Sequence, residues 1–252
     1  ARRRREIARR HDVERGYVVV RMAPEVSVVS RERIRDEIEK LLATSNRVKG
    51  LSLLLSTGLL SSALAESAPF VWGEEAEWLE RFASIGSRRV SMSTLLALFF
   101  FPVWKETGEK DFRDRHLKAL KLDNQKSDAI VFSLKMAKDL LAPSKMRRGE
   151  LALTLRHRDA SEALELADVL AATRSSWETE ADRSKWIDSV GRQAEKTRDY
   201  FLSGDDLKNA GIKPGPWMGA LLKEAQMLQL EGSLESREAA LTWLIQQPKS
   251  SD

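Results

Sequence analysis

The stretch "SGDDLKNAGIKPGPWMGALLKEA", residues 203–225, gathers Gly211, Gly215 and Gly219 around Pro214 and Pro216. A glycine-rich loop that runs into a helix can hold phosphate on its backbone N–H groups. The nucleotide-gripping form of such a loop needs G-x-x-x-x-G-K-[ST]. Here Gly215 and Gly219 are four apart, and no Lys-Ser or Lys-Thr pair follows. The residues read better as helix–turn–helix. Ser203 and Asp206 form the acidic variant of a capping box, which starts a short helix near Gly204. Gly211 suits the left-handed position past that helix's end, and Ile212 can fold back onto it. Pro214-Gly215 makes the turn, and Pro216 opens the next helix. Gly219 is expected to be small because the first helix packs against it. A helix N-terminus there can still meet an RNA phosphate.

Other catalytic chemistry is sparse. The three histidines are His11, His116 and His157, and "RHD" at 10–12 lacks the further His and Asp ligands a metal phosphohydrolase needs. No Asp-x-Asp pair occurs, and two-metal phosphoryl or nucleotidyl transfer relies on closely spaced carboxylates. Asp205 and Asp206 are adjacent at a helix start, so they do not supply one. A Ser–His–Asp triad is not readable without spatial proximity. There is no cysteine, which excludes disulfides and cysteine-held metals. The expectation is a chain without a catalytic residue or metal site of its own. The surfaces "DFRDRHLKAL" (111–120) and "LRHRDASEAL" (155–164) mix both charges and read mainly as solvated helix faces. Of the tryptophans 72, 78, 104, 177, 186, 217 and 243, most should lie in the core or between helices. Trp217, in the turn, can pack on the first helix or stack on a base.

These residues must be positioned by helices. The 252 residues are 32% charged and 42% hydrophobic, as in a water-soluble domain or pair of domains. The longest apolar stretch, residues 95–103, is too short to span a membrane, so no membrane partner is expected. No secretory leader is visible, the cytoplasm is the expected compartment, and Ala1 in place of Met suits a piece of a longer protein. The net charge of +4 is concentrated at one end: residues 1–21 hold eight arginines against Glu6, Asp12 and Glu14. A basic arm on a near-neutral body suits phosphate contact, or a solvated flexible arm.

Ser30 can cap "RERIRDEIEKLLA", whose Ile34, Ile38, Leu41 and Leu42 form one apolar stripe. "TSNRVKG" (44–50) reads as a break that stops at Gly50, before an apolar helical pair punctuated by Gly58. Helical periods continue over about 74–85, 93–101, 112–120, 124–141, 150–155, 161–173 and 180–200. The one credible strand is "YVVVRM" (17–22). The fold class is therefore all-α: an elongated stack of helices with at most that short strand. Four segments are expected: a basic arm (1–22), a neck-like helical RNA-binding segment (23–72), a helical body (73–200) and a tail with the helix–turn–helix (201–252).

Two stretches resemble the class II tRNA nucleotidyltransferases and their bacterial poly(A) polymerase relatives. "APEVSVVSRERIRDEIEKLLATSNRVKGLSLLLSTGLL" (23–60) is similar to the family's neck through Ala23, Pro24, Val29, Ser30, Glu32, Arg33, Ile34, Glu37, Lys40, Leu41 and Leu42, then the helix pair Gly50 to Leu60. The stretch from Gly204 resembles the family's late motif through Asp206, Leu207, Gly211, Ile212, Pro214, Gly215, Pro216, Gly219 and Leu222. Together they frame residues 23–245. The family's catalytic head, with its paired aspartates, and its nucleotide-choosing Glu-Asp-x-x-Arg element have no counterpart here. Residues 1–22 also depart from the family's pattern.

The resemblance implies the neck, body and tail of an enzyme that adds C, A or both to the tRNA 3′ end. It implies magnesium and CTP or ATP as requirements of the head, with no cofactor held by this chain. tRNA and the chain's own N-terminal catalytic head are the implied partners, and the oligomeric state is left open. Arg31, Arg33, Arg35, Lys40, Arg47 and Lys49 are the neck candidates for RNA phosphate or head contact, and Lys208 and Lys213 those of the tail. Arg33 can equally pair with Glu37 and brace the neck. The rival reading is a non-enzymatic helical module that binds RNA or protein. A DNA-reading helix is disfavoured, because "MGALLKEAQMLQL" is mostly apolar.

Overall fold

The computed structural model describes residues 18–173, 178–197 and 199–248. Most of the basic arm, with His11, and Trp177 lie outside them. Among the described residues the fold is helical and contains no strand. Residues 18–22, expected as a strand, are helical. Val18, Val19, Val20 and Met22 are all exposed. With no neighbouring strand to pair with, an extended segment leaves its N–H and C=O groups unmatched, whereas a helix satisfies them internally. Strand preference of β-branched residues is a packing effect, and no sheet is there to supply it.

The chain divides into two compact units, Ala1–Ala137 with Glu162–Ser175, and Lys138–Ser161 with Ser176–Asp252. In the first, an aromatic ladder forms the centre. Trp78 packs edge-on against Phe82 and Phe99, at 5.5 and 5.4 Å between ring centroids. Phe99 meets Phe100, and Phe100 meets Phe112, in the same T-shaped manner. Trp78 is fully buried and its indole N–H donates to the Phe99 carbonyl at 3.1 Å, so the ring buries no unsatisfied donor. Ser91 caps the Met92–Phe99 helix by accepting from the Thr94 N–H at 3.1 Å. The Glu165 carboxylate accepts from the Ser91 N–H and the Thr94 hydroxyl at the same helix start, where negative charge is favoured.

The neck-like segment lies in this unit. Arg31–Ala43 is a helix that buries Ile34, Ile38 and Leu42. Ser30 stands at its N-cap position, but its hydroxyl makes no capping hydrogen bond. The following helix is Arg47–Ser56, so the break expected over 44–50 is shorter, and Gly50, expected to end it, is already inside the helix. The reason is a contact between the two helices. A Cβ at residue 50 would come within 2.8 Å of Leu41 Cδ1, and the missing side chain admits Leu41.

In the second unit, helix Arg148–Leu155 packs against Glu180–Lys196 and Pro216–Glu231. The approach is closest at Gly149, where an added Cβ would lie 2.5 Å from the Met227 carbonyl oxygen. Beside it, Arg147 donates to Glu224 and Glu231, at 2.9 and 3.1 Å. Glu231 also accepts from the Gly149 N–H at 3.1 Å. The helix–turn–helix is present as Gly204–Asn209 and Pro216–Glu231. Gly219 departs from expectation: nothing lies within 4 Å of the position its Cβ would occupy. The close neighbour of the turn is Gly204, whose Cβ would meet Met218 Cε at 3.3 Å.

Candidate nucleic-acid interface

The eight basic residues singled out by the sequence fall into two sets, six in the first unit and two in the second. Because Arg31–Ala43 buries one stripe, it turns Arg33, Glu37 and Lys40 outward. The arginines around them are used by the fold. Arg31 donates to the Ala63 carbonyl and lies 3.5 Å from Glu66. Arg35 donates to the Lys121 carbonyl at 2.8 Å and pairs with its neighbour Asp36. Arg47 donates to the Leu42 carbonyl at 2.8 Å, closing the turn between the two neck helices. Each of these guanidinium groups ties a helix to a distant or terminal carbonyl, which accounts for it without any ligand.

Arg33, Lys40 and Lys49 are placed differently. All are exposed, and all line one groove of about 970 Å³ between the Arg31–Ala43 and Arg47–Ser56 helices. Its walls are Ile34, Ile38, Leu41, Leu53 and Leu54. Lys40 pairs with Glu37 at 2.8 Å, and that partner raises the ammonium pKa above its ordinary value. The expected alternative, Arg33 with Glu37, is therefore displaced by Lys40. Among the described residues, Arg33 and Lys49 have no acidic partner.

In the second unit the turn is built as its sequence indicates. The Ser203 hydroxyl accepts from the Asp206 N–H, and the Asp206 carboxylate accepts from the Ser203 N–H at 2.7 Å. Hydrogen bonds from Ser203, then from Arg237, hold the Asp206 carboxyl below the usual carboxylate range. The Gly211 N–H bonds to Lys208 O and the Ile212 N–H to Leu207 O, which is the Schellman closure. Gly211 takes φ +85°, and Ile212 and Leu207 are buried together. Lys208 pairs with Asp205 at 2.9 Å, while Lys213 is exposed with no acidic partner among the described residues. Trp217 packs on the hydrophobic cluster and donates to the Pro248 carbonyl at 3.0 Å, so its indole is engaged by the fold.

Sequence reasoning missed His116. It is buried on an irregular helical turn, Phe112–Leu117, stacked on Phe112 and edge-on to Phe70. Its Nδ1 lies 2.8 Å from the Ser67 hydroxyl. Burial pushes the imidazole pKa down, so the ring is held neutral. Its apolar neighbours Phe112 and Leu117 were the signal that this histidine faces inward. No group of three His, Cys, Asp or Glu side chains converges to hold a metal among the described residues. No helix among the described residues is long and apolar enough to cross a membrane.

With this geometry in place, comparisons with known proteins can be stated. Residues 18–70 match the family described as "Probable RNA and SrmB- binding site of polymerase A". Residues 97–245 match the family described as "tRNA nucleotidyltransferase domain 2 putative". The CCA-adding enzyme of Levilactobacillus brevis is 28% identical over 217 residues, 84% of this chain and 50% of that protein. Those of Limosilactobacillus reuteri and Lactobacillus johnsonii are 25% and 26% identical, each covering 87% of this chain and 51% of the relative. The chain thus spans about half the length of the curated relatives it matches. No solved structure matches it.

Proposed function

The chain belongs to the tRNA nucleotidyltransferase family as a C-terminal region of such proteins, and from that premise we propose that it holds tRNA for an enzyme adding C, A or both to the tRNA 3′ end. The observation that carries this reading is the succession of an RNA-binding segment and a nucleotidyltransferase domain along one helical chain. Arg33, Lys49 and Lys213 are the cations offered to phosphate, because no carboxylate among the described residues neutralises them. Lys40 and Lys208 meet RNA by exchanging Glu37 and Asp205 for phosphate. Arg31, Arg35 and Arg47 serve the same surface by fixing the helices that present it.

In this reading the transfer from CTP or ATP, with magnesium, occurs in an N-terminal catalytic head that partners this chain, in the cytoplasm. The chain's own residues supply grip and orientation, through the backbone and shape of an RNA helix. An electrophoretic titration with tRNA and with an unrelated RNA duplex of equal length, at about 50 and about 200 mM salt, tests it. Preference for tRNA with a steep loss of affinity at the higher salt is expected. Equal binding of both RNAs would sink the tRNA assignment.

A further inference from the structure

The groove that Arg33, Lys40 and Lys49 line is unlike a nucleic-acid surface in its walls. Ile34, Ile38, Leu41, Leu53, Leu54, Val26 and Val29 give it an aliphatic lining with no aromatic ring on which a base could stack. Two of its apolar residues stay open to solvent in the fold: Leu53 is 52% exposed and Val29 38%. The adjacent Val28 is 87% exposed, extending the apolar rim. Exposed aliphatic side chains gathered along one recess offer a surface that the apolar face of a partner can cover. Its charges are asymmetric: Glu37 is taken by Lys40 and Asp36 by Arg35, whereas Arg33 and Lys49 are left without a carboxylate among the described residues.

We propose that this groove docks an amphipathic helix of a partner protein, apolar side chains against the aliphatic walls and carboxylates against Arg33 and Lys49. Helix-in-groove recognition uses an apolar stripe at i, i+3, i+4 and i+7. The 13-residue helix Arg31–Ala43, about 20 Å long at 1.5 Å per residue, matches roughly three turns of such a ligand. Charge selects the occupant. The chain's own residues 1–17 carry a large excess of arginine and would place like charge beside Arg33 and Lys49. RNA satisfies the cations but leaves the aliphatic walls in water. An acidic amphipathic helix satisfies both.

The test uses the whole chain and a synthetic, fluorescently labelled peptide of about 16 residues, with leucines at that spacing and glutamates beside them. Fluorescence anisotropy should show saturable binding, about tenfold weaker for the peptide with lysines in place of glutamates and lost for a scrambled sequence. Leu53→Ser should weaken peptide binding about tenfold while leaving tRNA affinity within about twofold, since it removes part of the aliphatic wall and adds no charge beside Arg33 and Lys49. Lys49→Glu should reverse the preference between the two peptides, a change that partial unfolding cannot produce. No peptide binding, or binding indifferent to Leu53→Ser, overturns the proposal. So does a tRNA affinity that falls as far as peptide binding with Leu53→Ser, which would put RNA against the aliphatic walls and not only on the rim cations. A dimer in sedimentation that dissociates on the same substitution would make the occupant a second copy and equally overturn it. Loss of tRNA binding with peptide binding intact would instead remove the tRNA reading and leave the groove proposal standing.

Discussion

Arg33 and Arg35 sit two positions apart in one helix, yet their removal should have different consequences. Arg35 spends its guanidinium on the Lys121 carbonyl and Asp36, so Arg35→Ala should lower stability by about 1 kcal/mol in denaturant titration. Arg33 makes no such contact, so Arg33→Ala should leave the unfolding midpoint unchanged and reduce the salt slope of tRNA binding by about one. If both variants change the slope equally, sorting cations by their internal partners is wrong. His116 supplies a second prediction at this scale. Its folded pKa lies below the unfolded value near 6.5, so the unfolded chain binds the extra proton as pH falls. The stabilisation is complete above that value and is lost as pH drops from it toward the folded pKa. Asp111 and Glu66 pull the pKa up, Arg115 pushes it down, and burial outweighs them all. His116→Gln removes the titration, so the ratio of its unfolding midpoint to that of the parent chain should rise between pH 7.5 and 5.5. A constant ratio would show that the imidazole titrates alike in the folded and unfolded chain, so that burial does not shift it.

At the scale of elements, glycines of one residue type separate by what stands opposite them. Gly149→Ala drives a Cβ into the backbone of Met227 and should destabilise the second unit by about 1–3 kcal/mol. Gly219→Ala meets nothing within 4 Å and sits in the first turns of a helix, so it should stabilise by about 0.5 kcal/mol. Thermal melts of the two variants should move in opposite directions, and a drop for both would contradict the packing described. The same contrast explains what the sequence revealed. Ser203, Asp206, Gly211 and Ile212 were legible because a cap and a Schellman closure are made by residues within a few positions of each other. Gly50 and residues 18–22 were misread because their state depends on partners: Leu41 in the neighbouring helix for one, and the absence of a pairing strand for the other. The candidate site shows the same limit. Residue type marked the cations, but Lys121, Ala63 and Leu42 lend them backbone carbonyls, which no side-chain pattern announces.

For the molecule as a whole, the distribution of chemistry sets the final expectation. Nucleotidyl transfer needs carboxylates close enough to share cations, and these 252 residues contain no Asp-x-Asp pair. The described residues place no three ligating side chains together. What the chain does supply, an RNA-binding segment and exposed cations on rigid helices, is suited to holding a substrate whose reacting end is elsewhere. The match covers about half the length of the relatives, and the transfer chemistry is proposed to lie in the other half of such a protein. Purified chain given tRNA without its 3′ CCA, together with CTP, ATP and magnesium, should therefore bind the RNA in a gel and extend none of it. The bound complex should dissociate as salt is raised, because backbone contacts release counterions. Extension that persists after stringent purification, and that titrates with the chain, would show that the catalytic groups are here and would overturn the division of labour proposed. Binding without extension, lost on neutralising Arg33 and Lys49 together, would assign the grip to the neck groove's rim.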